Sequence, residues 1–302
     1  MSNINQENQE FCSKIEQVIF KDPGNRGISK TFQPGNLYKA ANNILLTEKT
    51  KKSYILTGFC CMNNTCETDG PLSSAILCKI LKELNYDSSI LCDTPSEKVV
   101  KASAELYKLP VTVKDSSDKV LEEDKNIGFM VSIERPGRSE KTNDYRTCKA
   151  RDISNVTSSL DLLFPNIKDN KKVDYLTISV GDGGNEVGTG NIIDLIKQNV
   201  PMGEDICTIS SCDILIMTGV SNWGGIAIAA ALSILANNKE IGQKFIEINN
   251  TQKDILQNMV NNGSYDGISG KVCMKVDGMD FDKEHTEINK AIEEIVKQKY
   301  NL

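Results

Sequence analysis

Five short runs of this chain, 53–59 (SYILTGF), 88–92 (SSILC), 127–134 (IGFMVSIE), 174–180 (DYLTISV) and 213–220 (DILIMTGV), are apolar and β-branched almost without a break. A strand with one wet face alternates polar and apolar residues, whereas near-continuous apolarity needs cover on both faces, as inside a parallel sheet. The stretches between them carry the helical spacing such a sheet requires. PLSSAILCKILKELNY (71–86) opens on Pro71, a favoured first-turn residue, and NLYKAANNILL follows Pro34. A third helix is expected after Gly188, and WGGIAIAAALSILANN, small and apolar, reads as a deeply packed fourth. The expected fold is α/β and three-layered, a mostly parallel sheet with helices on both faces. Residues 1–20 form a polar lead and first helix and 21–302 the α/β domain, with a small C-terminal α+β subdomain from about residue 240 as an option.

At 302 residues, 39% hydrophobic and 25% charged, the chain can bury such a core. A net charge of −6 argues against nucleic-acid binding, which needs a basic face. The longest apolar run, GGIAIAAALSILA, falls short of the ~20 residues of a membrane span. The start MSNINQENQE is polar, acidic and free of arginine, unlike a mitochondrial presequence, and reads as a short disordered lead of a cytoplasmic protein. The ten cysteines are scattered, and Cys60, Cys61 and Cys66 lack the paired spacing of a zinc site. The only histidine, His285, lies in the polar stretch DFDKEHTEI and is expected on the surface.

In open α/β sheets ligands bind beyond the carboxyl ends of the strands, so the loops that follow the five runs carry the functional reading. They hold Glu67, Thr68 and Asp69; Arg135, Arg138 and Tyr145; GDGGNEVG (181–188); and Ser221, Asn222 and Trp223. The glycine loop is no dinucleotide cradle, because the GxGxxG frame from Gly181 puts Glu186 at the third glycine, and no Lys-Ser/Thr of a phosphate loop follows. No nucleotide cofactor is therefore expected. Asp182 and Glu186, four residues apart, suit a hard divalent cation, or else cap the donors of the next helix. The polar segment 134–152 is too long for a routine turn; its arginines can clamp a carboxylate or remain a solvated basic loop. SYDGISGK (264–271) is a glycine turn ahead of an expected strand, VCMKV.

Taken together, GNRGIS (24–29), ETDGP (67–71), ERPGR (134–138), GDGGNEVG, GVSNWGG (219–225) and DGISGK (266–271) resemble the D-glutamate cyclase family, from about Asn25 to about Gly278. The resemblance implies conversion of D-glutamate to 5-oxo-D-proline and water, and offers the mitochondrial matrix as an alternative location. Where the family carries Asp-Gly and then a Tyr pair after its GR, this chain has Lys141-Thr142 and Asp144-Tyr145.

That chemistry needs a base for the amine, a positive centre for the carboxyl oxygens and a rigid hold on a flexible chain. Asp182 and Glu186 are expected to hold Mn²⁺ or Mg²⁺, with Asp69 or Glu67 as a further ligand or the base, and Arg138 on a substrate carboxylate. Asn25, Arg26, Thr68, Gly70, Tyr145, Gly183, Gly184, Asn185, Ser221, Asn222, Trp223, Gly224, Ser269 and Lys271 are expected around a small-molecule substrate. Metal-dependent phosphate-ester hydrolysis and non-catalytic small-molecule binding are the competing readings, and a homo-oligomer is compatible with each.

Overall fold

All five apolar runs are strands of one sheet in the computed structural model, which describes residues 3–61 and 65–302. The strands are β1 Lys52–Thr57, β2 Ser88–Cys92, β3 Val111–Val113, β4 Ile127–Ile133, β5 Leu176–Gly181 and β6 Ile214–Met217. Their order is β3-β2-β1-β4-β5-β6 and every pairing is parallel. The register sets Ile90, Ile55, Val131, Ile178 and Ile214 in one row across the sheet. This row enters the larger of two cores, while the alternate residues Tyr54, Leu56, Leu91, Met130 and Leu215 enter the smaller one on the other face. Both faces are thus covered, which is why these strands are apolar throughout.

The helices are α1 Asn3–Ile19, α2 Asn36–Leu46, α3 Pro71–Glu83, α4 Glu97–Ala104, α5 Ser117–Glu123, α6 Ile193–Asn199, α7 Gly203–Ile206, α8 Ser221–Leu235, α9 Lys239–Asn249, α10 Gln252–Asn261 and α11 Thr286–Tyr300. Helix α8 lies at the centre of the large core, buried from Ser221 to Ile234 and packed against α1, α2, α3, α9 and α11. Its small residues permit this: a Cβ on Gly225 would stand 2.4 Å from Ser73 Oγ of α3. Apolar residues of α9, α10 and α11 belong to that same core.

Four local expectations need correction or refinement. The lead is helix α1 from Asn3, because Cys12, Ile15 and Ile19 fall on one face and are buried; Met1 and Ser2 lie outside the described residues, as do Met62–Asn64 of the loop after β1. After Gly188 the chain makes a 3₁₀ turn, Thr189–Ile192, before α6 begins. Only Lys275–Val276 of VCMKV is a strand, β7, paired antiparallel with β8 (Met279–Asp280). His285 is buried, because its Nδ1 accepts the Trp223 indole N–H at 2.9 Å and its Nε2 lies 2.9 Å from Val276 O. No helix among the described residues is long and apolar enough to cross a membrane.

Candidate active site

The sheet order places β2 on one side of β1 and brings β4 back to the other, so the loops leaving β1 and β4 part and open a crevice at the carboxyl edge. Three acids enter it from three loops: Asp69 after β1, Glu134 directly after β4, and Asp182 directly after β5. All three are buried, and one carboxylate oxygen of each lies within 4.8 Å of the others. Glu134 sits at φ 49°, a left-handed conformation rare for a long side chain, so strain is spent at the strand end that carries this acid. Opposite it Gly70 (φ 92°) has no alternative: a Cβ there would stand 2.7 Å from both Glu134 Cβ and Thr57 Oγ1.

The N-terminus of α8 orients the trio. Ser221 N–H lies 3.1 Å from Asp69 Oδ2 and 3.0 Å from Asp182 Oδ2, and Ser221 Oγ donates to Glu134 Oε2 at 2.6 Å. Asp69 Oδ1 accepts from Asn222 N–H (2.7 Å) and Gly70 N–H (2.9 Å). The Asn222 side chain ties the loop to the helix, its Oδ1 accepting from Gly70 and Ser73 amides and its Nδ2 donating to Thr68 O. The positive end of a 15-residue helix thus faces the acids.

In the glycine loop Glu186 caps backbone donors, as in the second of its two expected readings, but those of its own turn. The Glu186 carboxylate turns back on its own loop and accepts the amides of Asp182 (3.1 Å), Gly183 (2.6 Å) and Gly184 (2.7 Å). Glu134, at the end of the neighbouring strand β4, stands with Asp69 and Asp182 in the trio. Gly184 (φ 93°) supplies the turn, and a side chain there would strike Ile196. The segment after β4 pairs with this loop, Gly137 N–H donating to Asn185 O (3.0 Å) and Val187 N–H to Arg135 O (2.8 Å). Asn185 Nδ2 reaches Arg146 O at 2.9 Å.

The chamber is narrow and partly open to solvent, and six carboxylates line it: the trio, Glu186, Glu67 and Asp277. Among the described residues Arg26 is the only cation in its wall. Arg26 donates to Asp182 Oδ1 (3.2 Å), to Gly219 O (2.9 Å) and to both oxygens of Asp277. Glu67 makes no side-chain hydrogen bond among the described residues, and its carboxylate lies over Gly267, where a Cβ would be 1.5 Å from Oε2. Burial, then the neighbouring acids, pushes Glu67, Asp69 and Glu134 well above the usual carboxylate range. The same causes, burial first and Asp182 second, raise Glu186 and Asp277 to about 7. Burial alone would lower Arg26, but Asp182 and Asp277 outweigh it and hold the guanidinium charged. So much buried negative charge is stable only if protons or cations offset it. The all-oxygen donor set of the trio is that of a hard cation such as Mg²⁺ or Mn²⁺.

Several expected residues do not line this chamber. Arg138 Nε donates to Asp161 Oδ2 at 2.9 Å and Tyr145 OH to Asp161 Oδ1 at 2.5 Å, and neither residue lines the chamber. Trp223 is turned into the core toward His285, and Gly224 packs beneath Val180. Thr68 Oγ1 donates to Lys275 O (2.8 Å), Asn25 (φ 49°) shapes the turn before Arg26, Ser269 lies further out, and Lys271 is exposed beyond the chamber. Glu134 and Asp277 were not singled out in the sequence. The first stands in the quoted ERPGR stretch, and the only trace of the second is the Asp-Gly turn 277–278.

Residues 15–293 match the model of a family described as D-glutamate cyclase-like, C-terminal. The mitochondrial D-glutamate cyclase of Homo sapiens is 29% identical over 315 residues, covering 91% of this chain and 50% of that protein. The chain thus spans about half the length of the curated relative it matches. A crystal structure of RecJ from Thermus thermophilus in complex with Mn²⁺ aligns over 88% of this chain and 37% of its own at a TM-score of 0.32 and 11% identity, a likeness too distant to bear on fold or chemistry.

Proposed function

Because the chain belongs to the D-glutamate cyclase-like family, we propose that it converts D-glutamate to 5-oxo-D-proline and water in the acid chamber, with a divalent cation held by Asp69, Glu134 and Asp182. The observation that carries this reading is the convergence of those three acids, from three separate loops, on one helix N-terminus. When bound, a hard cation at the trio supplies positive charge to the carboxyl oxygens as the amine attacks.

The chain's own groups supply the rest. In the overall reaction the α-ammonium loses two protons, an N–C bond forms to the side-chain carboxyl carbon, and the C–O bond that breaks releases an oxygen that takes both protons as water. Glu67 is the group placed to carry them: it faces the chamber and, unlike Asp69 and Glu186, is not committed to backbone amides. Asp277, anchored by Arg26, gives the ammonium a second acceptor. Holding amine and carboxyl within contact distance is worth up to ~7–11 kcal/mol where alignment is good.

The test is chiral detection of 5-oxoproline from D- and L-glutamate, each with Mn²⁺, with Mg²⁺ and after chelation. Product from the D form that disappears on chelation supports the reading. Absence of product from folded, Mn²⁺-loaded protein, together with phosphate release from sugar phosphates, would replace it with ester hydrolysis.

A further inference from the structure

Outside the acid chamber lies a second hollow of opposite charge. It shares Cys61, Thr147, Cys148, Gly267 and Ile268 with the chamber, so the two are continuous, and its remaining lining includes Lys149 and Arg151 and no carboxylate. Neither cation has an ion pair among the described residues, whereas Arg26, Arg135, Arg138 and Arg146 are each held by an aspartate. The turn that presents them is built, not slack. Thr147 Oγ1 accepts the amides of Lys149 (3.3 Å) and Arg151 (3.2 Å), Thr147 N–H donates to Arg151 O (3.0 Å), and Ala150 takes φ 57° to close it. Asn185 then ties Arg146, one residue upstream, to the loop that carries Asp182. The cationic turn is thereby fixed relative to the acid trio.

We propose that Lys149 and Arg151 form an outer anion subsite that receives the substrate carboxylate that does not react. This rests on the cyclase reading of the inner chamber and deepens it by assigning the place of the carboxylate that does not react. In cyclisation the amine and the side-chain carboxyl react while the α-carboxylate is a bystander that still carries a full charge. An interior of carboxylates repels that charge, and an outer wall with two unpaired cations accepts it. The polarity of the two hollows therefore orients the molecule, with the ammonium inward and the α-carboxylate at the mouth.

The probe pair is D-glutamate and its α-carboxamide, which keeps the amine and the reacting carboxyl but loses the bystander charge. Binding of each to Mn²⁺-loaded wild-type protein and to the Lys149→Ala/Arg151→Ala variant is measured by calorimetry, with Mn²⁺ affinity and thermal midpoint as controls. Both side chains are exposed, so the variant is expected to fold. Wild type should prefer the free acid by about tenfold, in keeping with charge-assisted hydrogen bonds. The variant should lose that preference by weakening only the acid, and in turnover the loss should appear in KM rather than kcat. Equal binding of acid and amide by wild type, or an undiminished preference in the variant, would overturn the subsite. Failure of the cyclase reading shows separately, as absence of 5-oxoproline or its amide from wild type while the binding comparison still reads the subsite.

Discussion

Two arginine–carboxylate assemblies lie along the carboxyl edge of this sheet, and they differ in balance. In the first, buried Arg135 meets Asp93 at 2.8 Å and donates from its terminal nitrogens to Gly58 O and Ser158 O, while Asp93 also accepts from Ser96 and Ser158. Burial alone would raise Asp93, but Arg135 outweighs it and holds the carboxyl below its ordinary value. Arg138, Asp161 and Tyr145 close a similar set beside it. In the second, Arg26 is the one cation among the described residues that faces six carboxylates. Balanced charge joins loops and leaves nothing for a ligand to complete; unbalanced charge in a cavity is an unfinished site.

The comparison can be broken at either end. Arg135→Met leaves Asp93 buried and unpaired, and urea unfolding should show a loss of about 3–5 kcal/mol. Asp182→Asn should act in the opposite sense, lowering turnover by about 10²–10³-fold. Its metal-free thermal midpoint should stay or rise, because five carboxylates still surround Arg26. A large stability loss in Asp182→Asn would erase the distinction between the two assemblies. A smaller effect concerns His285, whose value burial lowers from 6.5. Its neutral ring accepts from Trp223, so this contribution is complete above the unfolded value and is lost as pH falls from there toward the folded one. Urea titrations between about pH 7 and pH 5 should give a slope that is shallower in His285→Gln, and an unchanged slope would remove His285 from the account. Smallest of all, Lys271→Ala should leave stability within about 0.5 kcal/mol, since that side chain is exposed and outside the chamber.

What was legible in the sequence follows from the same physics. The five apolar strands are readable because burial on both faces leaves an uninterrupted apolar run, even in β6 at one sheet edge, whereas β3 at the other edge is three residues long and half-buried throughout, with no such signature. Helix α1 hides its apolar stripe among glutamates and asparagines, and His285 hides in a charged stretch although the chain turns it inward against Trp223 and Phe281. Asp69 and Asp182 are visible as acids in loops after strands. Glu134 is not, because its partnership with them depends on β4 lying between β1 and β5, an order that local spacing does not encode. Glu186, which spacing pairs with Asp182, is drawn instead to three amides of its own turn.

The most direct test of the central claim is Mn²⁺ binding, followed by electron paramagnetic resonance, in wild type, Glu134→Gln and Arg138→Ala. The trio of Asp69, Glu134 and Asp182 predicts a wild-type site that Glu134→Gln weakens by at least about tenfold and Arg138→Ala leaves intact. Wild-type protein that binds no Mn²⁺, or Glu134→Gln protein that binds it as tightly as wild type, would contradict the account.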